Sequence, residues 1–473
     1  MQSRQLTLER STVWSALTER ELQDVEDVTA AYKYYLDHAK TEREAVALAE
    51  AMAKGRGFVP LEDIETAKAA DPSLPLEGTK LYVKNKDKNI LLAVIGSTPL
   101  TTGCSILAAH VDSPRLDLKP NPLIEKEQLA LLKTHYYGGF KKYHFANVPL
   151  ALHGVIMTKE GEKITIALGE DEDDPVFTVT DILIHLAKKV QYERKTPDVL
   201  KGEEMNILFS SIPDLASSEK ERVKLFALKL LHEKYGITEE DLISAEIEAV
   251  PAGKARDVGF DRSMIGAYGQ DDRVCAFASF SALFELGTPE RTSIVFLADK
   301  EEVDSEGNTG MRSDFFSWIL ARLLALQGET TPLALMSTCM HSWALSADVG
   351  AAVNPTFPDV HEHNNAARLG YGIFLTKYTG KNGKYNASDA NAEFLSSVRT
   401  IFNNANVKWQ IGEMGKVDEG GGGTVAKFLA KLGIDTVDCG PALLAMHSTF
   451  EVSSKADVWT TKRAYRAFLE HSR

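Results

Sequence analysis

A chain of 473 residues is too long for one simple core, so two domains, or one large domain carrying an insertion, are expected. A net charge of −14 and a pI of about 5.4 argue against a nucleic-acid binder, whose footprint is a basic patch or stripe. The four cysteines, Cys104, Cys275, Cys339 and Cys439, lie far apart with no CxxC, which excludes a zinc ribbon and offers no disulfide framework.

The opening run MQSRQLTLERSTVW lacks the apolar core of a signal peptide, and no later run reaches the ~18 apolar residues of a membrane span. A cytoplasmic protein without membrane contact is therefore expected. From Leu17 to Lys54 the chain is dense in Ala, Glu, Leu and Lys, the pattern of one or two amphipathic helices ended by Gly55 and Gly57. Leu92 to Ile95 and Ile106 to Ala109 read as short buried strands of a central sheet, and His110-Val111-Asp112 follows the second. Beyond Pro114 the texture changes to charged segments, alternating stretches such as Lys163 to Leu168, and an acidic cluster from Glu170 to Asp174. Ile182 to Tyr192 and Glu219 to Tyr235 read as helices, the latter stopped by Gly236. Residues 113–254 are expected to be a separately folded insertion between 1–112 and 255–473, because the pattern of carboxylates at strand ends resumes only after them.

From Asp257 the first texture returns. A largely buried helix is expected over Arg273 to Leu286, stopped by Gly287 and Pro289, then a strand over Ser293 to Ala298 and an apolar helix over Asp314 to Leu326. A small-residue stretch, Ala344 to Val353, holds one charge, Asp348. The Gly420 to Gly423 run lacks the following Lys-Ser/Thr of a phosphate loop and reads as a turn or a close-approach loop. A helix over Thr424 to Leu432, a strand over Asp435 to Cys439 and a last helix over Lys455 to His471 with Ser454 as N-cap complete an α/β architecture.

The chemistry gathers at predicted strand ends and loops: His110, Asp112, Asp271, Asp272, Glu301, Glu302, Asp348 and His447, most beside apolar or small residues. A buried charge needs a partner or a metal, and this many in one chain point to a shared site. Two histidines and several carboxylates without a thiolate suit Zn²⁺, with Mn²⁺ or Co²⁺ as substitutes. In a two-metal site Asp271 is well placed as the bridge, with His110 and Asp348 on one side and Glu302 and His447 on the other. Glu301 is then left to accept a proton from water, and Asp112 to orient the His110 imidazole. The residue chemistry allows this assignment without fixing it.

The motifs HVDSPRLDLKP, GQDDRVCAFA, DKEEVDSEGNTGM, SADVGAAVNP and AMHSTFE, in this order and spread over most of the chain, resemble those of the aspartyl aminopeptidase and vacuolar aminopeptidase I family of dinuclear zinc exopeptidases. The resemblance implies two zinc ions held by His110, Asp271, Glu302, Asp348 and His447, with Glu301 as general base and Asp112 as the orienting group. It also implies a zinc-exopeptidase-like fold with a central mixed sheet flanked by helices, a smaller β-rich insertion used for dimer contacts, a tetrahedral dodecamer and a cis Asp271–Asp272 peptide. The implied reaction removes an acidic or neutral N-terminal residue from peptides. Lys377 and Tyr385 resemble substrate-side residues of the family, and His144 matches a family histidine only with a shifted register. At Ala351 the chain lacks a histidine found in the aspartyl branch, which leaves the preference for an acidic residue open. His361 and His363, in VHEHNN, read as a solvated loop. An N-acyl amino acid amidohydrolase on the same metal site, and a catalytically silent oligomeric homologue, are the competing readings.

Overall fold

The computed structural model describes residues 6–8, 10–380 and 382–472; part of the N-terminal run read for a signal peptide, and Lys381, lie outside them. The chain divides into two compact units, one of residues 1–112, 255–446 and 450–473, the other of residues 113–254 with 447–449.

The first unit is built on a nine-stranded mixed sheet. Its strands lie in the order Val59–Pro60, Lys80–Asn85, Asn89–Val94, Ser293–Ala298, Ser105–His110, Trp343–Ser346, Asp435–Gly440, Ile373–Thr376 and Trp409–Ile411. The four from Ser293–Ala298 to Asp435–Gly440 run parallel, with Ala298 opposite His110 and Ser346 opposite both Ala108 and Asp438. Their carboxyl ends therefore finish nearly level, the position where open α/β sheets hold ligands.

Both faces of this sheet are covered, because side chains alternate between them. Leu107, Ala109, Val295 and Leu297 face a core shared with helices Glu19–His38, Glu42–Lys54, Gln270–Phe284 and Lys455–His471. Ile106, Ala108, Ile294 and Phe296 face the opposite core, under helices Phe315–Leu326, Pro332–His341 and Ala426–Lys431. Thr18 with Glu21, and Thr41 with Glu44, form capping boxes that start the first two long helices. Ser454 precedes the last helix but makes no capping hydrogen bond, so its role there is positional only. Gly103, just before the Ser105–His110 strand, has a φ of 103°, and a Cβ on it would meet the carbonyl oxygen of His341.

The second unit carries a seven-stranded antiparallel sheet in the order Lys163–Leu168, Leu150–Met157, Glu246–Pro251, Arg115–Lys126, Leu129–Tyr137, Ile207–Ser210 and Thr178–Val179. Helix Arg222–Tyr235, closed by Gly236 at a φ of 72°, packs on its core. The helix expected over Ile182 to Tyr192 is not formed: turns surround a single 3₁₀ segment, Ala187–Lys189. Leu183, Ile184 and Leu186 are exposed, so no apolar face is buried to hold a helix together.

Candidate metal centre

His110 is the last residue of its strand and only 2% exposed. Its Nδ1 lies 3.0 Å from the backbone carbonyl of Asp112 and 3.3 Å from that residue's Oδ1. With Nδ1 so occupied, Nε2 points to the carboxylates: Oδ1 of Asp271 at 3.1 Å, and Glu301 Oε2 and Asp348 Oδ1 at 3.9 Å each. Asp112 also receives the backbone N–H groups of Glu301 and Glu302, one on each oxygen and both at 3.1 Å. One carboxylate thus fixes both the imidazole and the turn that carries the Glu pair.

Asp271 and Asp272 enter from the start of helix Gln270–Phe284, where both have non-helical dihedral angles and their peptide bond is cis. Regular helix begins only at Arg273, as the sequence predicts. The backbone N–H of Asp271 donates to Glu451 at 3.0 Å. Asp272, unassigned by sequence reasoning, is fully buried and accepts the backbone N–H of His110 at 3.3 Å. Asp348 follows the Trp343–Ser346 strand, and Gly440 lets the neighbouring chain pass it: a Cβ there would meet the Asp348 carbonyl oxygen.

Among the described residues, two sets of three ligating side chains bring one atom each within 4.8 Å of one another: His110, Asp271 and Glu302, and His110, Asp272 and Asp348. Burial pushes the carboxyls of Asp272 and Asp348 well up, and the neighbouring carboxylates push the same way. Burial likewise raises Glu301, to about 8; His110 opposes the rise, while Glu302, Asp112 and Asp271 add to it. Burial alone would lower His110, but hydrogen bonds to Asp112 and Asp271 outweigh it and raise the imidazole well above its ordinary value. Such a concentration of like charge fits a bound cation, and the imidazole and carboxylate donors suit zinc. One buried oxygen of Asp272 has no hydrogen-bond partner among the described residues, which fits the same group.

A cavity next to Asp348 is lined by Phe374, Tyr378, Lys384, Glu413, the Gly420 to Gly422 loop and Asp438. Burial raises Asp438 to about 6, against the nearby hydroxyls of Thr424 and Ser346. Sequence reasoning missed Asp438; the available signal was a carboxylate between Val437 and Cys439 inside an apolar strand. Lys377 and Tyr385 are not part of this lining: Lys377 pairs with Asp389 at 3.0 Å and Tyr385 is exposed. His447 and His144 belong to the second unit, where His447 Nδ1 lies 2.6 Å from the carbonyl oxygen of Gly139 and His144 packs edge-on to Tyr143.

No helix among the described residues is long and apolar enough to cross a membrane. A protein of Clostridium acetobutylicum described as a probable M18 family aminopeptidase 1 is 48% identical over 470 residues, 98% of this chain and 99% of that protein. One of Thermotoga neapolitana with the same description is 48% identical over 469 residues, 98% of this chain and 100% of that protein. The crystal structure of an M18 family aminopeptidase from Thermotoga maritima superposes with a TM-score of 0.92 at 46% identity, covering 98% of this chain and 100% of that one. Residues 35–469 match the family described as aminopeptidase I zinc metalloprotease (M18). This span and these identities make the chain a member of the M18 family of zinc metallo-aminopeptidases.

Proposed function

We propose that this M18 aminopeptidase removes one acidic or neutral residue at a time from the amino terminus of peptides, using two zinc ions and Glu301 as general base. The observation that carries the reading is the pair of ligand sets sharing His110, with Glu301 beside them and outside both. His110, Asp271, Glu302, Asp348 and His447 would hold the ions, with Co²⁺ or Mn²⁺ as substitutes. Bound there, the metal supplies Lewis-acid polarisation of the scissile carbonyl and activation of water. Glu301 takes the proton of the attacking water and delivers it to the departing amine. Without metal, burial and the neighbouring carboxylates raise Glu301 to about 8; a bound cation would oppose that rise and leave a carboxylate able to accept the water's proton near neutral pH. Asp112 keeps His110 and the Glu pair in register.

Of the two classes of first residue, a neutral one agrees better with the cavity, where Glu413, Asp418 and Asp438 stand against Lys416 and a Lys384 already paired with Asp389 at 2.8 Å. Lys377, Tyr385 and His144 remain assigned to the substrate side. The insertion, residues 113–254, serves as a dimerisation and lid domain in a homo-oligomer, a tetrahedral dodecamer built from dimers, and the enzyme works in the cytoplasm. A solved aminopeptidase 1 of Saccharomyces cerevisiae described as a dodecamer shares this fold at 20% identity with a TM-score of 0.74.

The test is Glu301→Gln. Zinc content should stay at the wild-type level while hydrolysis of aminoacyl substrates falls by at least a hundredfold, within the range of a lost general base. Retained turnover removes Glu301 from this role.

A further inference from the structure

The cavity beside Asp348 carries a carboxylate that the metal chemistry does not use. Asp438 lies within strand Asp435–Gly440, in register with Ser346 on one side and Thr376 on the other. It is 2% exposed, and neither of its oxygens makes a well-aligned hydrogen bond among the described residues, although the Thr424 and Ser346 hydroxyls lie close enough to offset its burial in part. Burying a charge in this way is costly unless a partner arrives, and the cavity that Asp438 lines is where one can enter.

The remaining walls narrow what that partner is. Val349, Ala367 and Phe374 offer apolar surface for a hydrocarbon stem. A carboxylate entering would face Asp438 together with Glu413 and Asp418, and of the two lysines in the lining Lys384 is already paired with Asp389 at 2.8 Å. A group that donates a hydrogen bond avoids that repulsion and gives Asp438 a well-aligned partner. Resting on the aminopeptidase reading above, we propose that Asp438 sets the choice of first residue: the cavity takes a side chain ending in an N–H or O–H donor, such as a carboxamide, and rejects a carboxylate of the same shape.

Glutamine and glutamate are nearly isosteric, so their comparison isolates the terminal group. On the zinc-loaded wild type, kcat/KM for a glutaminyl substrate should exceed that for the glutamyl analogue by about 10- to 100-fold. It should also exceed that for the methionyl analogue. In Asp438→Asn, whose carboxamide both donates and accepts, the glutaminyl-to-glutamyl ratio should collapse to about 3 or less. The ratio is the readout, because a general disturbance of Asp348 would slow all three substrates alike. A wild-type preference for glutamyl, or a variant in which all three rates fall by one common factor, overturns the proposal. Should the variant fail to fold, calorimetry on the wild type decides: free L-glutamine must bind more tightly than L-glutamate, and the reverse order overturns the proposal. Failure of the aminopeptidase reading looks different. In that case none of the three substrates is cleaved, while the order of the two free amino acids still reports on Asp438.

Discussion

The carboxylate of Asp112 accepts the backbone N–H of Glu301 at 3.1 Å, tying the end of one parallel strand to the turn beyond its neighbour. The other oxygen does the same for Glu302. Asparagine at this position would turn an N–H₂ group toward one of these two donors. Asp112→Asn should therefore lower kcat/KM by about 10- to 100-fold and weaken zinc retention, a cost typical of groups that orient ligands. Steady-state kinetics paired with metal analysis after dialysis would check both.

Metal removal should change how stability responds to pH. In the metal-free protein Glu301 is raised to about 8, by burial first, and Asp272 and Asp348 are also raised. A carboxyl with a raised folded value contributes stability at low pH that is lost as pH climbs through that value. Zinc displaces those protons and offsets the repulsion. The gap in melting temperature between zinc-loaded and chelated protein should widen from pH 5 to pH 8, and titration with zinc should release protons. Scanning calorimetry across that range tests the sign; a gap that narrows would contradict it.

Asp257 responds in the opposite direction. Burial would raise it, but hydrogen bonds from Lys33 at 2.7 Å and Arg262 at 3.0 Å, with the charge of Lys455, hold it at about 2. The stability it contributes is present above its unfolded value and disappears as pH falls from about 4 to about 2. Asp257→Asn should lower the melting temperature at pH 7 by roughly 2–4 °C. The difference from wild type should shrink below pH 4 in parallel thermal melts.

Gln270 is a buried side chain in which both ends are used. Its amide nitrogen donates to the carbonyls of Ile265 at 3.0 Å and Glu451 at 2.7 Å, and its oxygen accepts from Tyr32 and Ser453. Gln270→Ala strands these groups at once, and the expected loss is on the order of 3 kcal/mol. Since the next residue is Asp271, zinc affinity should fall as well. Denaturant unfolding and metal titration separate the two effects.

The elements that the sequence made legible are those whose signal is local. Ser293–Ala298 is apolar and bounded by turn residues, and Lys455–His471 follows a small polar residue, so their limits are readable from neighbours in the chain. Strand order was not readable. Ser293–Ala298 sits between Asn89–Val94 and Ser105–His110 because of pairing across a long separation in sequence, which no local pattern encodes. Apolar spacing misled at Ile182 to Tyr192, where helical composition meets no surface to pack on. At the site, Asp348 stood out as one charge among small residues, while Asp438, equally enclosed by Val437 and Cys439, passed as part of a strand. The contact of Asp272 with the backbone N–H of His110 depends on how the chain enters its helix, and composition carries no trace of that.

The division of the first unit into separate stretches of chain sets a schedule for its synthesis. His110 leaves the ribosome before residues 113–254 and well before Ser293–Ala298, the strand that pairs with both of its sheet neighbours. At about 5–20 residues per second, roughly ten to forty seconds separate His110 from Glu302. Through that interval the apolar strands Asn89–Val94 and Ser105–His110 lack their common partner, and Ser105–His110 also waits for Trp343–Ser346, so the nascent chain exposes three unpaired strand edges while the intervening unit is free to fold. A trigger-type holding chaperone would find its target there, and the growing chain should be most prone to aggregate before residue 298 emerges.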